Sequence, residues 1–232
     1  MSAAAEQRRE RLVDLYKEVS ACTKCPLHAT RAKTVFGAGN ADAELMFVGE
    51  APGAEEDRQG LPFVGRAGQL LNQMLEEIGL TREDVFIANV LKSRPPGNRD
   101  PQPEEIAACE PYLFEQVRLI EPKVVCTLGN FATKLLTGSQ VGITKVRGVP
   151  QMHQLGGRPV RLLPLFHPAA ALRTPAVKET LRGDFATIPE LLQQPLPEPE
   201  PSAEEIAEAE VAADQGGDRP PPPPADQLGF FG

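Results

Sequence analysis

No apolar run in this chain of 232 residues approaches the about 20 needed to span a bilayer. Residues 1–11 are also too charged for the apolar segment of a secretory leader. Both absences predict a cytoplasmic protein with no membrane partner. Cysteine is scarce, with four residues: Cys22, Cys25, Cys109 and Cys126. In a cytosolic chain so few argue against a disulfide framework and toward metal or redox use. Tryptophan is absent, and so is any G-x-x-x-x-G-K-[ST] phosphate loop. Positive charge is not in excess either, the formal net charge being −8. That deficit sits at one end. Residues 195–232 hold nine acids and one base, whereas residues 1–194 hold 23 of each sign. A neutral body can still carry a basic groove, so a nucleic-acid partner is not excluded.

What is present is organised around residues 43–68, AELMFVGEAPGAEEDRQGLPFVGRAG. The apolar run Leu45-Met46-Phe47-Val48 is short enough for a buried strand. It breaks into Gly49-Glu50-Ala51-Pro52-Gly53, then three acids, then a second glycine-rich turn carrying Phe63. A helix follows, with Leu70, Leu71, Met74, Leu75 and Ile78 on one face. The strand–loop–helix unit recurs. Residues 84–90 read as a second strand ending at Asn89. Residues 123–128 read as a third, before a helix opened by Gly129 and Asn130. Residues 160–166 read as a fourth, closed by His167 and Pro168. Helices are also predicted over residues 6–20, 103–120 and 175–193, with a hairpin-like excursion over 141–161. The pattern predicts an α/β fold, three-layer α/β/α around a short, mainly parallel four-stranded central sheet. Right-handed crossovers then bring Glu50, Asn89, Gly129 and His167 to one rim, where such sheets bind ligands.

Each rim residue has an ordinary reading beside a functional one. His167 is a satisfied structural histidine or a pocket imidazole. Asn89 caps a turn, or offers a donor and an acceptor side by side to the edge of a base. Phe63 is core, or a stacking platform for a flat ligand. Glu50 and Glu56 are solvated acids or working carboxylates. Lys92, Arg94, Arg99, Lys145, Arg147 and Arg173 form a solvated surface or meet phosphates. The cysteine spacing, C-x2-C then two distant residues, suits a metal shared by four thiolates. On spacing alone zinc and iron–sulfur stay open, and Cys109 and Cys126 also fit as ordinary buried thiols.

Beyond residue 194 the composition changes. Residues 195–224 hold nine prolines, many acids and little large apolar content. Residues 195–226 are therefore expected to be a disordered acidic linker. They lead to Gln227-Leu228-Gly229-Phe230-Phe231.

Taken together, Cys22-x-x-Cys25, GEAPGAEED, LPFVGRAGQLL, Ala88-Asn89-Val90, LKSRPPGNRDP, ITKVRG and FHPAA resemble the family-four uracil-DNA glycosylases, the iron–sulfur branch of that superfamily. The resemblance covers roughly residues 10–193. It implies that residues 1–194 are a catalytic domain that flips uracil out of DNA and hydrolyses its N-glycosidic bond, leaving an abasic site. It implies a [4Fe-4S] cluster on Cys22, Cys25, Cys109 and Cys126. Phe63 would stack on the base, Asn89 would read N3–H and O4, and His167 would donate to O2. Gly49, Ala51 and Gly53 would line the pocket beside Glu50. Ala51 stands where better-known relatives carry a water-activating aspartate, so Glu50 or Glu56 is expected to position water. The loop over residues 92–100 lacks the histidine by which a related branch traps DNA covalently, so no trapped adduct is expected. Arg94, Arg99, Lys145, Arg147 and Arg173 would meet DNA, with Leu172 or Arg173 filling the vacated stack. The tail residues Gln227, Leu228, Phe230 and Phe231 resemble a sliding-clamp-docking peptide, and the chain is expected to act as a monomer. The alternatives are an iron–sulfur module that binds DNA without chemistry, and a zinc hydrolase of nucleotides. The second is disfavoured because four thiolates leave no open metal position.

Overall fold

The computed structural model describes residues 3–196; the linker beyond residue 196 and the tail motif lie outside the described residues. The apolar runs form the middle of one sheet as β2 (Leu45–Gly49), β3 (Phe86–Asn89), β4 (Val124–Leu128) and β6 (Arg158–Leu165). The sheet is nevertheless mixed and six-stranded, which corrects the expected four. A two-residue β1 (Ala38–Gly39) pairs antiparallel with β3, and β5 (Gln151–Leu155) pairs antiparallel with β6. The order is β1-β3-β2-β4-β6-β5, with the inner four mutually parallel. Both added strands lie on edges. β1 is too short to leave a periodic signal, and β5 alternates partly buried and exposed residues instead of forming an apolar run. It is one arm of the excursion foreseen over residues 141–161.

Helices cover both sheet faces. On one side α1 (Ala3–Ser20) and α4 (Pro103–Ile120) bury Leu15, Val19, Leu113 and Val117 against Met46, Val48, Ala88 and Val125. On the other, α3 (Arg66–Glu77) buries Leu71 and Met74 against the alternate strand residues Leu45, Phe47, Ile87 and Leu163. Short α2 (Ala54–Gln59) and α3 follow β2; α5 (Asn130–Thr137) follows β4. Then come α6 (Ile143–Val146), α7 (Pro168–Ala171), α8 (Pro175–Phe185) and α9 (Ile188–Gln193). The single helix expected over 175–193 is two, because Pro189 cannot supply an interior helical N–H. Phe185 of α8 stacks on Phe47, centroids 5.6 Å apart. Among the described residues no helix is long and apolar enough to cross a membrane.

The start of α4 is fixed by charge. Pro103 occupies its first turn, and the Gln102 N–H donates to Glu105 Oε2 at 2.9 Å. The Arg99 guanidinium grips the same carboxylate through both oxygens, at 2.9 and 2.6 Å. Glu105 is 1 % exposed, so this pair holds the loop 92–102 to the body.

Candidate active site

The parallel register sets Gly49 beside Asn89 and Leu128 beside Leu165. The carboxyl ends of β2, β3, β4 and β6 therefore share one rim, as the sequence pattern predicted. A cleft of about 320 Å³ opens there, lined by Glu50, Ala51, Gly53, Glu56, Phe63, Asn89 and His167 among others. A second hollow beside it shares Glu50 and His167.

Phe63 gives the cleft its wall, and its backbone does so at a cost. Its φ is 50°, a left-handed conformation that a bulky side chain adopts only under constraint. Such a residue stores of order 1–3 kcal/mol. Two side chains hold it there. Arg82 donates to the carbonyls of Pro62 at 2.6 Å and Phe63 at 2.8 Å. From the other side Glu56 Oε1 accepts the N–H groups of Val64 at 2.9 Å and Gly65 at 3.0 Å. Hydrogen bonds to charged groups contribute about 1.5–3 kcal/mol each, enough to outweigh the strain. Gly68 completes the turn, since a Cβ there would stand 1.7 Å from the Phe63 carbonyl oxygen.

Facing Phe63 are Asn89 and His167. The Asn89 side chain is 2 % exposed, and its Oδ1 is buried with no hydrogen-bond partner. An orphan acceptor in a cavity wall costs stability unless something fills it. The His167 ring stacks obliquely on Phe63, centroids 5.6 Å apart. His167 Nδ1 accepts the Ala169 N–H at 3.1 Å as the N-cap of α7. The ring proton of the neutral form therefore sits on Nε2. Burial pushes the imidazole down to about 4 from 6.5, against a smaller opposing pull from Glu56. His167 is thus a neutral donor at ordinary pH.

Glu50, half-buried, is held above the usual carboxylate range by burial and then by the negative charge of Asp100. The expected choice between Glu50 and Glu56 for water is narrowed by geometry. Glu56 is committed to stapling the Phe63 loop, whereas no hydrogen bond reaches the Glu50 carboxylate among the described residues.

The basic residues separate. Arg99 is paired with Glu105 and Arg147 with Asp184, so both brace loops and neither is a free phosphate donor. Lys92 is fully buried, which corrects its place among the phosphate-facing cations. Arg94 bonds Asn98 within its own loop at 2.7 Å. Lys145, Arg173 and Leu172 remain exposed near the rim. Arg82 was invisible in sequence: a lone arginine in a turn carries no periodic or motif signal.

The cysteines also separate. Cys22 and Cys25, at the end of α1, pack on the same cluster as Cys109 of α4. The charges of Cys25 and Cys22 reach Cys109, and all three lie on the α1–α4 face. Cys126 points to the opposite face, among Leu45, Phe47 and Leu128. Burial alone pushes its thiol far up. The four cysteines therefore cannot share one centre, which corrects the four-thiolate set. Among the described residues no group of three or more His, Cys, Asp or Glu side chains is close enough to hold a single metal ion.

Gly49 constrains the cleft through the side chains packed against it. A Cβ there would lie 2.4 Å from Asn89 Oδ1 and 2.7 Å from Phe63 Cζ. Gly49→Ala should therefore cut turnover of any ligand read by Asn89 by about 100-fold, while the chain still folds, because the strand itself tolerates alanine. Steady-state kinetics beside a circular dichroism melt check this; an alanine variant with full turnover would show that the cleft is looser than described.

Comparison with known proteins follows the same residues. The model of the uracil DNA glycosylase superfamily matches residues 36–186, a span that includes every cleft side chain named above. A type-4 uracil-DNA glycosylase of Archaeoglobus fulgidus is 46 % identical over 186 residues, 78 % of this chain and 94 % of that protein. One from Thermotoga maritima is 52 % identical over 167 residues, 71 % and 85 % of the two chains. A type-5 enzyme of Pyrobaculum aerophilum is 35 % identical over 109 residues, 40 % and 48 % of the two. On these matches, with the cleft residues inside the matched span, the chain belongs to the uracil DNA glycosylase superfamily.

Proposed function

We propose that this protein is a DNA-repair glycosylase that extrudes uracil from DNA and cleaves its N-glycosidic bond. The observation that carries the reading is the buried, unpartnered Asn89 Oδ1 in a slot walled by Phe63. A pyrimidine N3–H supplies the missing donor. Cytosine instead presents a lone pair at N3 and is repelled by the same oxygen.

The residues then divide the work. A base within the duplex is out of reach, so it must first leave the stack, at a cost of a few kcal/mol. Phe63 recovers part of that by stacking. As the glycosidic bond breaks, the electron pair passes to the pyrimidine, and negative charge grows on O2. His167 Nε2–H donates there, and its neutral state means it stabilises the anion by a placed hydrogen bond and not by a full positive charge. The sugar is left oxocarbenium-like. Glu50, uncommitted and beside the cleft, is the carboxylate suited to face that cation and orient water. The exposed Lys145, Leu172 and Arg173 suit contact with the DNA strand, with Leu172 or Arg173 filling the vacated stack. Incubation with a uracil-containing oligonucleotide followed by alkali tests the reading. Strand cleavage is expected, with no drop in rate as pH falls through 6.5, because His167 stays neutral there. Binding without cleavage would favour the non-catalytic module; a loss of rate centred on 6.5 that persists in Glu50→Gln would contradict the assigned state of His167.

An iron–sulfur cluster belongs to the same proposal, held by Cys22, Cys25 and Cys109. Bound there it would be structural, tying α1 to α4 beside the loop that follows β3. Its fourth ligand is not Cys126; Ser93 is a buried oxygen donor following Lys92, whose main chain bonds Cys109. Cys126→Ser should keep the iron content and visible absorbance of anaerobically purified protein, and Cys109→Ser should lose both. Loss of iron in the Cys126 variant would restore the four-cysteine arrangement.

We further propose that residues 195–226 are a tether, that Gln227, Leu228, Phe230 and Phe231 dock on a sliding clamp, and that the protein works as a cytoplasmic monomer. Attachment through such a tether raises the local concentration of the catalytic body on DNA. Calorimetric titration of a peptide of the last dozen residues into the clamp should give heat that vanishes when Leu228, Phe230 and Phe231 become alanine. Equal heats would end the idea.

A further inference from the structure

Among the described residues Lys92 is the only lysine or arginine that is buried, 2 % exposed, and the chemistry above makes no use of it. Lysine usually bends its head to water, so burying it needs compensation. Its Nζ donates to the Asn89 carbonyl at 2.7 Å and to Gln116 Oε1 of α4 at 2.6 Å. Gln116 Nε2 in turn donates to the Phe36 carbonyl at 2.9 Å, and the Lys92 carbonyl accepts the Val35 N–H at 2.8 Å. Beyond β3 the chain is otherwise held by the Val90 N–H on the Gly49 carbonyl and the Leu91 N–H on the Glu50 carbonyl, at 2.9 and 3.0 Å. β1 pairs only with Phe86 and Ile87, so the Asn89 carbonyl finds its partner in Lys92 and not in a neighbouring strand.

We propose that Lys92 is a positioning residue for base recognition: anchored by Gln116 on α4, it clamps the main chain of Asn89 so that the carboxamide stays aimed into the slot. The idea rests on the proposed uracil reading of Asn89 and adds the device that sets its aim. The carboxamide has no protein partner on Oδ1 to fix it, so its position is inherited from its backbone. The strand bonds hold that backbone on one side, and the Lys92 amino group holds the carbonyl. The chain of contacts also joins the α1–α4 face, where Cys109 lies, to the reading residue. Damage to α4 is then felt at the base without any contact to it.

A merely structural lysine would lower stability and affect catalysis only in proportion. A positioning lysine acts through Asn89, so its effect vanishes once Asn89 can no longer read the base. The test is a cycle of Lys92→Met, Asn89→Ala and the double variant, with kcat/KM for a single-stranded uracil oligonucleotide and its Kd read in parallel. Val117→Ala, which opens the same core without a polar contact, controls for lost stability. Lys92→Met is expected to lower kcat/KM by about tenfold or more, Val117→Ala by less than about twofold, and Lys92→Met to cost nothing further in the Asn89→Ala background. Equal losses in both backgrounds, or an equal loss from Val117→Ala, would overturn the proposal. If Lys92→Met does not fold, Gln116→Met, which frees the Lys92 amino group from α4, is put through the same cycle and judged by the same two comparisons. Should the wild type bind the oligonucleotide without cleaving it, the glycosylase reading alone fails and the cycle is scored on Kd.

Discussion

The cleft depends on a phenylalanine forced into left-handed backbone geometry. The turn that carries Phe63 would relax if left alone, because a bulky residue at φ 50° is strained. Arg82 and Glu56 prevent that from opposite sides, each holding two backbone groups of the turn. The ring is thereby fixed against His167 on one side and against the space left by Gly49 on the other. A flat cleft exists because of these four bonds. Glu56 emerges as a structural clamp for this turn.

The scaffold turns that local strain into a defined site. Four parallel strands buried on both faces cannot slip in register without moving two cores at once. Asn89, at the end of β3, and His167, just past the end of β6, are therefore held at fixed height. Burial then sets their chemistry. His167 is kept neutral and tautomerically defined by one backbone N–H, while Glu50 is made harder to ionise by its surroundings and by Asp100. Two titratable groups on one rim are tuned in ways that suit a neutral hydrogen-bond donor facing a growing anion.

Much of this was legible in the amino-acid order. The apolar runs that became β2, β3, β4 and β6, and the polar residues following each, marked the rim because buried strands leave continuous apolar stretches. Edge strands leave no such mark, so β1 was missed and β5 was foreseen only as part of a hairpin-like excursion, not as a strand of the sheet. The cleft residues Phe63, Asn89, Glu50 and His167 could be named from motifs, but their supports could not. Arg82 and Lys92 look like surface cations in sequence, and only the fold reveals that they point inward to carbonyl groups. Cysteine spacing misled for a related reason. Cys126 lies one residue out of phase with the α1–α4 face, and a strand's period of two sends its thiol to the other core.

The most direct test of the account is a crystal structure of the protein with free uracil. The ring should lie against Phe63, with N3 within about 3 Å of Asn89 Oδ1 and O2 within about 3 Å of His167 Nε2. Phe63 should keep its positive φ, with the Arg82 and Glu56 bonds intact. Uracil bound away from Phe63, or an Asn89 Oδ1 still unpaired with the base in place, would contradict the account.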